Sequence, residues 1–316
     1  MELWLSIILF IIGLAILIKG CEFFVSGAAF IARHFGVSEL IIGLTLVSMG
    51  TSLPEFGASV YASYNGDGGI AVGNVVGSNV ANIALVLGVC LMLRRIRVKK
   101  VMLKRDGLIM LGVSLLFIFL VIDGVGRLDG LVLMILFAVY IVFLYRQNKT
   151  EARNPDMAES SERFSKKGGK PGKEIAKLII GCLAVISGAK LLVDSSVDIA
   201  STFGISDTVI GSTLIAFSTS VPELAVSLMA ILKRYEDISI GNIIGSNIFN
   251  ILWVIGAAAI VGELAVDNTL LYINLPIMLC VAALLLIFMA IKNRLEKWEG
   301  GVFLAIYVVF LVLNYM

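Results

Sequence analysis

The sequence predicts an all-helical membrane protein of ten transmembrane helices, arranged as two inverted repeats of five. Three observations carry that prediction. The first is composition. Of 316 residues, 59% are hydrophobic and 15% charged, with a mean hydropathy of +0.99. A soluble domain averages roughly 45–50% apolar and about 25% charged residues. The second is a set of ten apolar runs of the ~20-residue class that crosses a bilayer. The third is a long match of the chain to itself at a constant offset of 168 residues.

The first run spans 3–32 and carries Lys19 and Glu22. The second (40–64) contains Thr51-Ser-Leu-Pro54-Glu55, and runs at 70–93, 102–122 and 128–145 complete the first half. Residues 146–173 are rich in Arg, Lys, Glu, Ser and Gly and form a polar linker too short for a folded domain. The sixth run (175–201) is long and carries Lys190, Asp194 and Asp198. The seventh (208–232) contains Thr219-Ser-Val-Pro222-Glu223, and runs at 238–261, 270–291 and 301–313 follow. The expected organisation is one transmembrane domain: repeat one at 1–145, the linker at 146–173 and repeat two at 174–316.

The internal match needs no gap. Thr45 falls on Thr213, Thr51 on Thr219, Ser52 on Ser220, Pro54 on Pro222, Glu55 on Glu223 and Ser59 on Ser227. It continues through Gly73-Asn74 on Gly241-Asn242, Gly77-Ser78-Asn79 on Gly245-Ser246-Asn247, Asn82 on Asn250 and Gly88 on Gly256. Five helices per half is an odd number, so the second half enters from the opposite side. Charge agrees. With the N-terminus outside, the inner loops collect Arg33, the cluster from Arg94 to Arg105, the linker, Lys233, Arg234, Lys292, Arg294 and Lys297. The outer loops hold Arg127 and the acids Asp67, Asp123, Glu263 and Asp267. That bias places both termini outside and the linker in the cytoplasm of a multi-pass plasma-membrane protein.

Composition also excludes classes. The net charge of +2 comes with no basic aromatic face for nucleic acid. The one histidine, His34, lies in a loop-like Arg-His-Phe-Gly and reads as solvated or capping, so a histidine zinc centre or serine-type triad is not expected. Cys21, Cys90, Cys182 and Cys280 all sit in apolar runs and read as small buried hydrophobes. The N-terminus carries no basic stretch or cleavage site of a signal peptide. No enzyme motif and no cofactor site is expected.

The duplicated motif carries the chemistry. Ser52 with Glu55 three residues on reads as a capping box, and Pro54 suits a first helical turn. A helix that starts inside an apolar run breaks the span. The break frees carbonyls near Met49–Thr51 and Phe217–Thr219 and sets a carboxylate just beyond them. Acids placed at that depth are functional by default. Carbonyls, hydroxyls and two carboxylates make an all-oxygen shell that suits Ca²⁺ and balances its charge. In the next run Ser78 and Asn82 share a helix face, as do Ser246 and Asn250, and these neutral oxygens suit Na⁺. Gly73/Gly77 and Gly241/Gly245 permit close helix approach. Asn79 and Asn247 lie off the ligand face and read as structural. Lys19/Glu22 and Lys190/Asp194 read as ion pairs at helical spacing, outside the site. Inverted repeats with breaks at matched positions form the pattern of secondary transporters.

At these residues the sequence resembles the cation/Ca²⁺ exchanger superfamily, and within it the compact prokaryotic Na⁺/Ca²⁺ exchangers. The resemblance rests on Gly50–Glu55 with Gly77-Ser-Asn and on Ser218–Glu223 with Gly245-Ser-Asn, and it extends over the whole chain. It implies that Glu55 and Glu223, with the carbonyls of Thr51 and Thr219, ligate Ca²⁺. It implies that Na⁺ uses Ser52, Ser220, Ser78, Ser246, the Ala216 carbonyl and oxygens of Glu55 and Glu223, with Asn82 and Asn250 completing the ring. It further implies that the long first and sixth helices slide to alternate access, and that Ca²⁺, Na⁺ and lipid are the partners of a functional monomer. The pattern departs from the superfamily in two places. Both ring positions are amides where related sequences often carry Asp, which argues against a K⁺-dependent subtype. Ser218 stands where Gly is usual. Na⁺/Ca²⁺ antiport is the expected function. H⁺/Ca²⁺ antiport uses the same acids as proton carriers, and a cation channel would need acidic rings around a continuous pore.

Overall fold

The computed structural model describes residues 3–151, 171–203 and 218–315, and these are helical almost throughout. The helices are α1 (Leu3–Phe35), α2 (Glu39–Thr51), α3 (Leu53–Tyr64), α4 (Gly68–Leu93), α5 (102–121), α6 (Arg127–Glu151), α7 (Pro171–Thr202), α8 (Val221–Leu232), α9 (Glu236–Val261), α10 (Leu270–Lys292) and α11 (Lys297–Tyr315). Two short strands, β1 (Ile96–Arg97) and β2 (Arg294–Leu295), pair antiparallel. Among the described residues seven helices are long and apolar enough to cross a bilayer, or eight if α2 and α3 form one span bent by 47° at Ser52. This is a multi-pass membrane protein. The α5 helix carries Lys104, Arg105 and Asp106 near its start, and α8 has only 12 residues. The first part of the seventh run and residues 152–170 of the linker lie outside the described residues.

Local chemistry sets the ends. The α1 helix closes at Gly36, whose φ of +65° is the left-handed conformation that glycine tolerates. The Val37 amide then donates to the Ala32 carbonyl at 2.9 Å. His34 therefore belongs to the last helical turn, stacked on Phe30, and not to a loop. Helix extends into both ends of the polar stretch. The α6 helix runs on to Glu151, through good helix formers, and α7 opens with Pro171 in its first turn.

The 168-residue offset reappears in the helix bounds. The α3 and α8 helices have 12 residues each, and α4 and α9 have 26 each. Each pair starts 168 residues apart. Both α4 and α9 pass into a π-helical segment at matching points, Ala81–Leu87 and Asn250–Ile255.

The chain forms two compact units. The first comprises Met1–Thr51 and Tyr145–Gly241. Its main contact is an antiparallel pairing of α1 with α7 along a seam of glycines. A β-carbon on Gly13 would lie 2.7 Å from the Leu192 amide nitrogen, one on Gly20 2.8 Å from that of Val185, and one on Gly188 2.6 Å from that of Leu17. A β-carbon on Gly181 would meet the Phe24 amide. The backbones therefore touch, and small residues are what allows it. Around the seam Leu17, Phe24, Val25, Ala28, Val185 and Val226 form a buried core.

The second unit comprises Ser52–Leu144 and Asn242–Met316. Its contacts repeat each other. Gly130 packs on Gly256 and Ala259, while Gly300 packs on Gly88 and Leu91. The Val125–Leu264 bridge has its counterpart in the Ile96–Leu295 pair of the small sheet.

Of the cysteines, Cys21 and Cys90 are buried as expected, but Cys182 is half-buried and Cys280 is exposed. An apolar run marks a helix, not which side of it faces its neighbours.

Candidate cation site

Pro54 has no amide hydrogen, so the Gly50 carbonyl loses the partner a continuous helix would give it. The Cys182 thiol donates to that carbonyl instead, at 3.9 Å. Gly50 itself is closely covered: a β-carbon there would lie 2.8 Å from the Phe24 ring and 3.1 Å from the Cys182 sulfur. Pro222 has the same effect on the Ser218 carbonyl. In both copies the proline occupies the first turn of the new helix, as the motif predicts.

The predicted capping box does not form. Ser52 and Ser220 occupy the N-cap positions, with φ/ψ near −83°/7° and −86°/−2°, and neither hydroxyl caps its helix. An N-cap serine needs extended backbone to swing its oxygen over the N3 amide. These two have near-helical backbone and do not. The Ser220 oxygen is buried without a hydrogen bond among the described residues.

In the first unit, Thr51 at the end of α2 and Glu223 on the first turn of α8 are both fully buried, and α2 packs on α8. Ser218 and Thr219 are half-buried beside the break, and Ala216 lies outside the described residues. In the second unit, Ser52, Glu55, Asn82, Ser246 and Asn250 are fully buried, and Ser78 is nearly so. They lie on α3, α4 and α9, which pack on one another. Phe56, next to Glu55, stacks on Trp253 of the α9 π segment with ring centroids 4.4 Å apart. That stack fixes the Glu55 turn against the turn that begins with Asn250.

Asn74 ties α3 to α4. Its Nδ2 donates to the Ser59 hydroxyl at 2.9 Å and to the Glu55 backbone carbonyl at 3.3 Å, while Ser59 donates to the Ala71 carbonyl. Replacing Asn74 by leucine strands these groups. The expected cost is about 1–3 kcal/mol, to be read as a lower unfolding midpoint in detergent.

Asn82 and Asn250 differ from their surroundings. Buried amides are normally hydrogen-bonded. Among the described residues, both polar atoms of Asn82 and the Oδ1 of Asn250 have no partner. Both asparagines lie at the start of π segments, which are frequent at functional sites. Among the described residues no three His, Cys, Asp or Glu side chains cluster as a metal group. Each motif copy thus buries one carboxylate, Glu223 in the first unit and Glu55 in the second, and the neutral oxygen-bearing side chains named with each are of the type that hard cations take as ligands. The pairs kept outside the site are observed as ion pairs: Lys19–Glu22 at 3.0 Å, with Lys233 also on Glu22 at 3.2 Å, and Lys190–Asp194 at 3.0 Å.

These features define a multi-pass membrane protein with a buried glutamate at each of two matched helix breaks. A family model described as sodium/calcium exchanger protein matches residues 5–146 and 173–316, and the chain belongs to that family. It is 36% identical to the sodium/calcium exchanger MaX1 of Methanosarcina acetivorans, over 97% of each chain. It is 39% identical to the membrane protein MJ0091 of Methanocaldococcus jannaschii, over 95% of each. Among solved structures it is similar to the sodium-calcium exchanger NCX_Mj soaked with 2.5 mM Na⁺ and 0.1 mM Ca²⁺, with a TM-score of 0.83, 36% identity and 98% coverage of both chains.

Proposed function

We propose that this protein exchanges Na⁺ for Ca²⁺ across the cell membrane by alternating access, with Glu55 and Glu223 as its charged ligands. The observation that carries the reading is the duplicated, fully buried glutamate on the first turn after a proline break, directly following the proline, in a chain of this family. Two glutamates and one Ca²⁺ sum to zero charge, as do two glutamates and two Na⁺. Each further Na⁺ makes the loaded carrier positive and the cycle electrogenic. The carbonyls of Thr51 and Thr219 complete the Ca²⁺ shell. Ser52, Ser220, Ser78, Ser246, the Ala216 carbonyl, Asn82 and Asn250 serve Na⁺. Shared ligands make the two ions compete, so exchange needs no cofactor and no chemical step. Only differential affinity for the inward and outward states drives it.

The architecture proposed is ten spans in two inverted repeats of five, with 1–145 and 174–316 as the halves and 146–173 as a cytoplasmic linker. Matching helix bounds and reciprocal glycine contacts support it. The loop charges support external termini. The α1 and α7 helices, the first and sixth spans, are proposed to slide as the access changes, and the monomer to be the working unit.

Proteoliposomes loaded with Na⁺ and diluted into Na⁺-free medium should take up Ca²⁺. Uptake that ignores the Na⁺ gradient and follows a pH gradient would overturn Na⁺ coupling in favour of H⁺. Flux that continues without any counter-ion would indicate a channel.

A further inference from the structure

By helical spacing Asn79 lies off the ligand face. Within the second unit its amide does more. Its Nδ2 donates to the Asn247 backbone carbonyl at 3.3 Å. Its Oδ1 accepts from Asn250 Nδ2 at 3.0 Å. Asn247 turns its own side chain away, donating to the Ile243 carbonyl at 2.8 Å. All three residues are almost completely buried.

A backbone carbonyl only accepts, so the nitrogen of Asn79 must face it and the oxygen of Asn79 must face Asn250. Asn250 must then offer its NH₂ group to Asn79. Its oxygen is left pointing the other way, buried and without a hydrogen bond among the described residues. One backbone carbonyl thereby sets the direction of two amides in series. The direction matters because the two ends of an amide are nearly the same shape and opposite in polarity. Only the oxygen end ligates a cation.

We propose that Asn79 is a positioning residue that holds Asn250 with its carbonyl oxygen available to the transported cation and its NH₂ group withdrawn. This rests on Asn250 being a ligand, as in the function proposed above. It also gives a reason for an amide at position 250. A carboxylate there would set an oxygen against the oxygen of Asn79, which repels it as long as Asn79 keeps its bond to Asn247. Selectivity at the ring thus depends on a residue that touches no ion.

The test is a double-mutant cycle in Na⁺/Ca²⁺ exchange, measuring apparent KM for both ions and the maximal rate for Asn79→Ala, Asn250→Asp and the double variant. In the Asn250 protein, Asn79→Ala lets the amide reverse. The KM for the cation that uses Asn250 should rise about three- to tenfold, with the maximal rate much less affected. In the Asn250→Asp protein both ends of the side chain are oxygens, and the repelling neighbour is gone. There Asn79→Ala should leave KM unchanged or lower it. That reversal of sign is not expected of a packing residue. An equal rise in both backgrounds would overturn the proposal. Asn79→Leu, which keeps the volume, repeats the cycle should the alanine variant fail to fold. Asn250→Ala separates the two layers: an unchanged KM would remove Asn250 from the ligands, whereas a raised KM with no coupling to position 79 would remove only the role of Asn79.

Discussion

Replacing Glu55 or Glu223 by glutamine is expected to abolish Na⁺-driven Ca²⁺ uptake. Glutamine keeps the shape and one ligating oxygen but removes a full charge. Both glutamates are fully buried, so no solvent compensates for the missing charge. A divalent ion would then face one carboxylate instead of two. Breaking a buried charge pairing costs about 3–5 kcal/mol, which corresponds to Ca²⁺ binding weakened by about two to four orders of magnitude. Na⁺ carries half the charge and should lose less, so the ratio of the two affinities shifts along with the rate. Ca²⁺-dependent protection from unfolding and ⁴⁵Ca²⁺ uptake would measure the two effects separately. Asp194→Asn is the control. Its pair with Lys190 is largely exposed and of the kind worth about 0–1 kcal/mol, so exchange should continue. Full exchange in either glutamine variant would remove the assignment of that residue.

The second large effect is expected on the α1–α7 seam. Gly181→Leu would put a branched side chain where a single β-carbon already meets the Phe24 backbone. Even extra methylenes in a packed core cost about 1–3 kcal/mol, and here the obstacle is backbone, which cannot swing aside as a side chain can. No folded protein is expected on gel filtration. Gly188→Ala should fold with a clearly lower unfolding midpoint, because its β-carbon would sit 2.6 Å from the Leu17 nitrogen. Gly112→Ala on α5 has open space around it. It should be neutral or gain about 1 kcal/mol from helix propensity. If Gly188→Ala and Gly112→Ala behaved alike, the close seam would not exist.

The motif and its duplication were legible because they break a rule: proline, hydroxyls and a carboxylate interrupt runs that otherwise hold only apolar side chains. The helix bounds followed from the same offset. Four features were not legible, each for a physical reason. The π segments at Asn82 and Asn250 change hydrogen-bond register without changing residue type. The hydrogen bonds of Asn79 are made to partners 168 and 171 residues away, which helical spacing cannot show. Ser52 with Glu55 has the spelling of a capping box, yet its backbone is too nearly helical for the serine to cap. The seven-residue spacing of Gly13, Gly20 and Gly27 was visible in the chain, but nothing local says which helix fills the groove.

That groove has a consequence for motion. An interface of side chains loosens gradually, because each rotamer hop yields a slightly different fit. Glycines have no rotamers, so where they bring the α1 and α7 backbones together the contact has little conformational entropy to gain by loosening. Any slip between the two helices must lift backbone off backbone at several glycines at once. If α1 moves, α7 is expected to travel with it as a single stiff plank.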